Sequence, residues 1–166
     1  MPADFAAAVA AVERMKRDGV IAEYAIGGAM ALVFWTEPVP TFDLDVFVLL
    51  PGETTLLVSL DPIYRWAAAN GYGEEGEHIL IEGIPVQFIP AHNPLADEAI
   101  EEAATLDHEG TPVRVMRPEH LIALYLEPSA RTAKRLERVA MLLEEAAIDT
   151  ERLDAILQRY HLERPW

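Results

Sequence analysis

The sequence lacks cysteine and has few basic residues. Without cysteine, disulfides, thiolate-bound zinc and cysteine nucleophiles are all excluded. Only 13 lysines and arginines stand against 28 aspartates and glutamates, a formal net charge of −15, so the average surface disfavours nucleic acid as a partner. Long apolar runs are also missing, since no stretch reaches the ~18 residues of a membrane span, and no basic leader precedes the first apolar residues. We therefore expect a cytoplasmic protein with no membrane association.

Apolar residues make up 51% of the 166 residues and charged residues 25%, which is the balance of a folded domain. Apolar spacing and turn signals predict the elements in order: a helix over 3–17, a strand ending at Gly27-Gly28, a short helix over 29–35, a strand from Asp43 to Leu50, a helix over 62–69 capped by Asp61, a hairpin over 77–90 turning at Glu82-Gly83, an acidic helix from Asn93 to about Asp107, a strand over 111–116, and only helices from Pro118 onward. The chain thus divides into an α/β core, residues 1–117, and a C-terminal helical region, residues 118–166, packed on it as one unit.

Two aspartates open the apolar strand that runs to Leu50. Side chains alternate on a strand, so Asp43 and Asp45 share a face, about 7 Å apart along the chain. Two carboxylates in this position can hold Mg²⁺, which prefers oxygen ligands and often shares them with substrate phosphates. The alternative interpretation is a solvated strand edge.

A glycine pair, Gly27 and Gly28, lies upstream between a strand and a short helix. Here the backbone can approach a ligand closely, and exposed N–H groups favour an anion such as phosphate. The alternative is that the glycines only permit a tight turn. Phosphate-binding glycines and a metal-binding D-x-D together indicate a site for a nucleoside triphosphate.

The stretch IGGAMALVFWTEPVPTFDLDVFV, residues 26–48, resembles the signature of the polymerase-β-type nucleotidyltransferase superfamily. Its T-x-D-x-D after a Gly-Gly helix is similar to the AbiEii-type group, small bacterial proteins tied to toxin–antitoxin and phage-defence systems. The resemblance implies a nucleotidyltransferase-like α+β fold, with a mixed β-sheet flanked by helices and a small C-terminal helical bundle. It also implies that Gly27 and Gly28 contact the triphosphate and that Asp43 and Asp45 bind the metals.

The superfamily commonly places a third carboxylate on a neighbouring strand. In this chain the corresponding strand is IPVQFIP, and Gln87 occupies the expected position. A glutamine can hydrogen-bond but cannot act as a base or supply negative charge to a second metal. Glu82, Glu77 and His78 on the preceding strand are the residues that can substitute for it.

Four basic residues, Arg131, Lys134, Arg135 and Arg138, are spaced i, i+3, i+4 and i+7, which predicts one face of a helix. This segment resembles the R-x-K-D-like segment in the C-terminal helices of AbiEii-type proteins. The resemblance implies that Lys134, together with Arg131, contacts the triphosphate, and it places Arg135 where an aspartate is usual. The alternative is a set of surface ion pairs with the acidic helix, offered by Asp97, Glu98, Glu101 and Glu102.

The five histidines show no metal-ligand spacing with one another, and we expect most of them at the surface or at helix caps. The favoured function is a Mg²⁺-dependent nucleotidyltransferase that transfers NMP from an NTP to an acceptor hydroxyl. A protein or small-molecule acceptor is favoured over RNA because of the charge. The expected setting is a toxin–antitoxin or defence system, with a cognate toxin or antitoxin as partner. The alternative, supported by Gln87, is a nucleotidyltransferase-fold binding module of impaired activity.

Overall fold

A mixed sheet of seven strands forms the centre of the computed structural model, which describes residues 4–37, 43–52 and 58–166. The strands lie in the order β3-β4-β5-β2-β1-β7-β6: β1 (Glu23–Gly27), β2 (Leu44–Leu49), β3 (Gly73–Glu75), β4 (His78–Ile81), β5 (Ile84–Pro90), β6 (Ala104–His108) and β7 (Thr111–Val115). In the middle of the sheet β2 is antiparallel to β1 and parallel to β5, while β1 is parallel to β7.

Helices flank this sheet: α1 (Phe5–Arg17), α2 (Gly28–Trp35), α3 (Asp61–Ala69), α4 (Pro94–Glu101), α5 (Pro118–Leu126), α6 (Ala133–Glu145) and α7 (Thr150–Arg159). Side-chain caps fix several helix starts, because Asp4, Asn93, Thr132 and Asp149 each accept a hydrogen bond from a backbone N–H of the first turn. The predicted fold class, a mixed sheet flanked by helices, is confirmed. No helix in the described ranges is both long and apolar enough to cross a bilayer.

The two faces of β2 differ, and this difference prepares the site. Leu44, Val46 and Val48 are completely buried and point into the core. The alternating residues, Asp45 among them, are only half-buried on the opposite face. The core side chains of α5, α6 and α7 belong to the same buried cluster as those of the sheet. The division into residues 1–117 and 118–166 stays a prediction.

The structure differs from the sequence prediction around the acidic helix. That helix, α4, ends at Glu101 rather than near Asp107, and the following residues form β6, which pairs with β7 in antiparallel register. The two-residue turn Glu109-Gly110 joins the two strands, so pairing across a hairpin overrides the local helical propensity of the acidic segment.

Three smaller differences concern element ends. The short edge strand β3 was not predicted, because all its residues are exposed and it has no apolar alternation. Asp61 is the first residue of α3 rather than its cap, which is Leu60. The loop predicted up to Thr41, with Thr41 of the T-x-D-x-D motif, falls mostly in residues 38–42, outside the described residues.

Candidate functional site

Four residues on adjacent strands form a row across the sheet, here called the site row: Gly27, Asp45, Gln87 and His78. Asp45 of β2 lies opposite Gly27 of β1 on one side and Gln87 of β5 on the other. Ile79 pairs with Val86 between β4 and β5, so the antiparallel register places His78 beside Gln87. Because laterally paired residues point to the same face of a sheet, the side chains of the site row share one surface.

The two aspartates lie at the start of β2, on this surface. Asp43 precedes the strand with a side chain that is 55% exposed, and its Oδ2 lies 3.5 Å from His78 Nε2. Burial raises the pKa of the Asp45 carboxyl, and the neighbouring charge of Asp43 raises it further. The positive charges of Arg138 and Arg135, and of His78 whenever that ring is protonated, lower this pKa. Two repelling oxygen donors of this kind fit a divalent cation of the Mg²⁺ type, which relieves the repulsion.

The glycine pair packs directly against the site row. Gly28 has φ of 60°, a left-handed conformation, and a β-carbon there would lie 2.2 Å from Asp45 Oδ2. A β-carbon on Gly27 would lie 2.5 Å from the ring of Phe47. Glycine at both positions therefore has a packing reason, because a β-carbon would force the Asp45 carboxylate or the Phe47 ring to shift, and the triphosphate contact inferred for them stays a prediction.

Of the three residues that can substitute for the missing carboxylate, the structure brings only His78 into contact with an aspartate. Glu82 lies in the β4–β5 turn, at the other end of these strands, where it accepts a hydrogen bond of 2.7 Å from the Tyr72 hydroxyl. Glu77 is exposed in the β3–β4 turn. Gln87 lies where the sequence placed it, beside Asp45 on the neighbouring strand.

The basic residues separate in the structure. Arg131 precedes α6, contrary to the prediction of one helix face, because Thr132 caps a helix that begins at Ala133. The Arg131 guanidinium donates to the carbonyl oxygens of Leu126 at 2.9 Å and Glu163 at 2.7 Å. Lys134 is exposed on α6. The nucleotide contacts inferred for Arg131 and Lys134 stay predictions.

Arg135 and Arg138, one helical turn apart on α6, are the basic residues that act on the aspartates. Their charges lower the pKa of Asp45, so both lie within electrostatic reach of it. Arg135 Nη1 donates to the carbonyl of Ala130 at 3.2 Å, and the Arg138 guanidinium carbon lies 5.9 Å from the centre of the Tyr125 ring. The spacing in the sequence could not distinguish Arg135 and Arg138 from Arg131 and Lys134. The Thr132 cap sets where α6 begins and so leaves Arg131 outside the helix, and spacing does not show this.

The alternative interpretation, ion pairs between the basic residues and the acidic helix, is wrong for the described residues. Glu98 of α4 pairs instead with Arg159 of α7 at 2.9 Å and with His120 of α5 at 2.8 Å. Among the ion pairs in the described ranges, none joins α6 to α4. The reason is packing, since α4 contacts α5 whereas α6 contacts α2 and α5.

His120 is completely buried, whereas most histidines were expected at the surface. Its Nε2 lies 2.8 Å from Glu98 Oε2 and 3.4 Å from Glu102 Oε2, and these three groups are close enough to hold a cation. A histidine that binds metal through Nε2 carries its proton on Nδ1, and the buried Nδ1 has no acceptor in the described chain. The geometry therefore favours a hydrogen bond between His120 Nε2 and Glu98 over a metal site, and this hydrogen bond joins α5 to α4.

The chain matches no family model and no curated protein. Several solved structures are similar to it, and three of them are described here. The solution structure of the antibiotic-resistance factor ANT(2'')-Ia has a TM-score of 0.50 and 18% identity over 94% of this chain and 90% of that one. The crystal structure of ANT(2'')-Ia in complex with adenylyl-2''-tobramycin also has 0.50 and 18%, over 92% and 96%. An antigenic nucleotidyltransferase-like protein from Paracoccidioides brasiliensis has 0.55 and 13%, over 96% and 89%. These similarities show a nucleotidyltransferase-like fold.

Proposed function

We propose that this protein is a nucleotidyltransferase that, with a divalent cation of the Mg²⁺ type, transfers NMP from an NTP to an acceptor hydroxyl. The observation that carries the proposal is the site row, in which Asp45 lies between Gly27 and Gln87 at the start of a buried strand. A glycine turn packed on that aspartate and two arginines within its electrostatic reach complete the arrangement. The nucleotidyltransferase-like fold supports it.

Each residue has a role that follows from its chemistry. Asp43 and Asp45 would hold the cation, which neutralises charge on phosphate oxygens when it is bound. The N–H groups at the start of α2, after Gly27 and Gly28, would donate to the triphosphate. Positive charge for the triphosphate would come from α6, where Arg135 and Arg138 lie near Asp45, with Lys134 and Arg131 as further candidates.

The transfer breaks one bond and forms one. The acceptor oxygen attacks the α-phosphorus, the bond from that phosphorus to the bridging oxygen breaks, and pyrophosphate leaves. The proton of the acceptor hydroxyl must go to a base, and Gln87 cannot be that base. With Asp45 assigned to the cation, neutral His78 would be the remaining member of the site row that can accept a proton, and it lies 3.5 Å from Asp43.

The test is transfer of α-labelled NMP, with each of the four common NTPs and Mg²⁺, into separate protein, RNA and small-molecule fractions of a bacterial extract. Asp43→Asn and Asp45→Asn are expected to reduce transfer by at least ~100-fold. Asp107→Asn, an exposed carboxylate on the edge strand β6, is the matched control and should keep full activity. Unchanged transfer in the two site variants would disprove the mechanism.

A binding module without turnover is the second candidate, and Gln87 favours it, since no carboxylate stands at that position beside Asp45. Such a module would bind NTP and Mg²⁺ in calorimetry but transfer nothing.

We propose in addition that the protein is of the AbiEii type and acts together with a cognate toxin or antitoxin. Growth inhibition on expression, relieved by Asp45→Asn, would support a toxin role, whereas inhibition that persists in this variant would contradict one based on transfer.

The acceptor is proposed to be a protein or a small molecule. The net charge of −15 disfavours RNA for this chain alone. A similar structure holds an adenylylated small molecule, adenylyl-2''-tobramycin, in ANT(2'')-Ia. Label recovered only in RNA would contradict this choice of acceptor.

A further inference from the structure

The number of divalent cations that the aspartates can hold depends on the negative charge around them. Two cations in one site lie ~3.5–4 Å apart and repel each other, so carboxylates shared between them have to hold them together. Asp43 and Asp45 supply two negative charges, which one divalent cation neutralises. A cation of the Mg²⁺ type needs only one or two carboxylates when phosphate oxygens complete its coordination. The proposed function therefore works with one cation or with two, and the neighbouring side chains decide between them.

Position 87 is where a third carboxylate would have to lie, and it carries no charge. Gln87 of β5 is the lateral neighbour of Asp45 on β2, so the two side chains point to the same surface. The amide oxygen of a glutamine can accept a hydrogen bond, but the amide adds no negative charge, and its nitrogen offers only donors. The neighbouring strand thus gives a second cation nothing that offsets its repulsion from the first.

The other groups near the aspartates do not replace the missing charge. His78 Nε2 lies 3.5 Å from Asp43 Oδ2, but an imidazole carries no negative charge. Arg135 and Arg138 add positive charge within electrostatic reach of Asp45, which disfavours a further cation. Within residues 4–37, 43–52 and 58–166, one set of three His, Asp or Glu side chains has ligand atoms within 4.8 Å of one another. That set lies at α4 and α5 and consists of Glu98, Glu102 and His120.

We propose that the site binds a single divalent cation, held by Asp43 and Asp45, and that the uncharged Gln87 excludes a second one. The inference rests on the proposed function for the nucleotide and the cation, and it adds the number of cations. It departs from the plural metals that the resemblance in sequence implies for the two aspartates. With one cation, the acceptor oxygen has no second cation beside it, so its orientation depends on side chains of the protein.

Counting bound Mn²⁺ tests the proposal, because Mn²⁺ takes the same oxygen ligands as Mg²⁺ and has an EPR signal. Equilibrium dialysis is carried out with each of the α,β-methylene analogues of the four common NTPs, which cannot transfer NMP. We expect about one Mn²⁺ per wild-type chain, with the spectrum of an isolated ion. Gln87→Glu should bind about two, with the broadened spectrum of two ions ~4 Å apart.

Two controls make the count specific to the site. The protein has a net charge of −15, so ions bound elsewhere on its surface are counted in the double variant Asp43→Asn/Asp45→Asn and subtracted. Gln158→Glu adds the same charge as Gln87→Glu at an exposed position on α7 and should stay at about one Mn²⁺.

The wild-type count alone can overturn the proposal, even if Gln87→Glu does not fold. Two Mn²⁺ per wild-type chain after subtraction, or none, would do so. A folded Gln87→Glu that binds no more Mn²⁺ than the wild type would also overturn it, because residue 87 would then not set the number.

The transfer assay keeps this inference distinct from the proposed function. One Mn²⁺ per chain in a protein that transfers nothing would support the inference and contradict the enzyme. Transfer by a wild type that binds two Mn²⁺ would support the enzyme and overturn the inference.

Discussion

The carboxylate of Asp45 lies so close to Gly28 that a β-carbon at position 28 would be 2.2 Å from Asp45 Oδ2. The contact joins the glycine turn of α2 to the strand that carries the D-x-D motif. A β-carbon at position 28 would force either the Asp45 carboxylate or the turn itself to shift, so glycine at this position has a packing reason that is independent of any ligand.

Gly28→Ala should lower the free energy of unfolding for two reasons, the left-handed φ and the contact with Asp45. Gly71→Ala is the matched control, because Gly71 has φ of 82° but nothing within 4 Å of an added β-carbon. We expect about 1–2 kcal/mol for the control and a larger loss for Gly28→Ala, both measured by urea denaturation. The excess should shrink in the double variant with Asp45→Ala. An equal loss at both glycines would mean that Asp45 simply moves away.

Asp45→Asn should raise the melting temperature of the metal-free protein at neutral pH. The folded state raises the pKa of this carboxyl, mainly through burial, so its ionised form is less favourable when folded than when unfolded. Protonated Asp45 is favoured in the folded state, so its contribution to the free energy of unfolding is complete at acid pH. That contribution is lost as the pH rises through the folded-state pKa, because the buried carboxyl then has to ionise. The gain of the variant should therefore be small near pH 3 and largest at neutral pH.

Added Mg²⁺ should reverse this order, since it stabilises only a protein that binds it. The wild type should gain melting temperature with Mg²⁺ and Asp45→Asn should not. Equal shifts in the two proteins would contradict a metal site at Asp45.

Gln87→Glu should restore a third carboxylate beside Asp45. Because the two residues are lateral neighbours, the metal-free variant should melt below the wild type through charge repulsion, and Mg²⁺ should recover more of its stability. If the missing base limits the reaction, transfer should rise by roughly tenfold or more. Gln158→Glu, an exposed change on α7, controls for added charge. A variant with no added Mg²⁺ response would show that position 87 does not face the cation.

Glu119 gives a prediction outside the site. This carboxylate in the first turn of α5 is 3% exposed, and burial raises its pKa, while the backbone N–H of Asp149 and the charge of Arg152 oppose the shift. Protonated Glu119 is thus favoured in the folded state, and its contribution to stability is lost as the pH rises from acid to neutral. Glu119→Gln should equal the wild type near pH 4 and melt a few degrees higher near pH 8, since about 1 kcal/mol corresponds to ~2–4 °C in a chain of this size.

Calorimetry across this pH range checks it, with the exposed Glu144→Gln on α6 as the control. A lower melting temperature for Glu119→Gln at pH 8 would mean that the contacts with Asp149 and Arg152 outweigh burial.

The sequence alone predicted the fold class, and the site residues that it named stay predictions. Caps at Asn93, alternation along β2 and the hairpin turn at Glu82-Gly83 are local signals, and the structure contains each of them. Local signals gave the wrong prediction at Ala104–His108. These residues continue the acidic helical pattern of α4 in the sequence, but they form a strand because they pair with β7.

What the sequence by itself determined is the chemistry of the strand ends: a D-x-D at the start of a half-buried strand, a glycine pair before a helix, and a glutamine on the strand IPVQFIP. Only the tertiary structure decided which distant groups meet them. It placed His78 next to Asp43 and set Arg138, on the face of Tyr125, within electrostatic reach of Asp45. It also engaged Arg131 with two backbone carbonyls away from α6. Periodicity specifies which side of an element is buried, but strand register and helix packing select its neighbours.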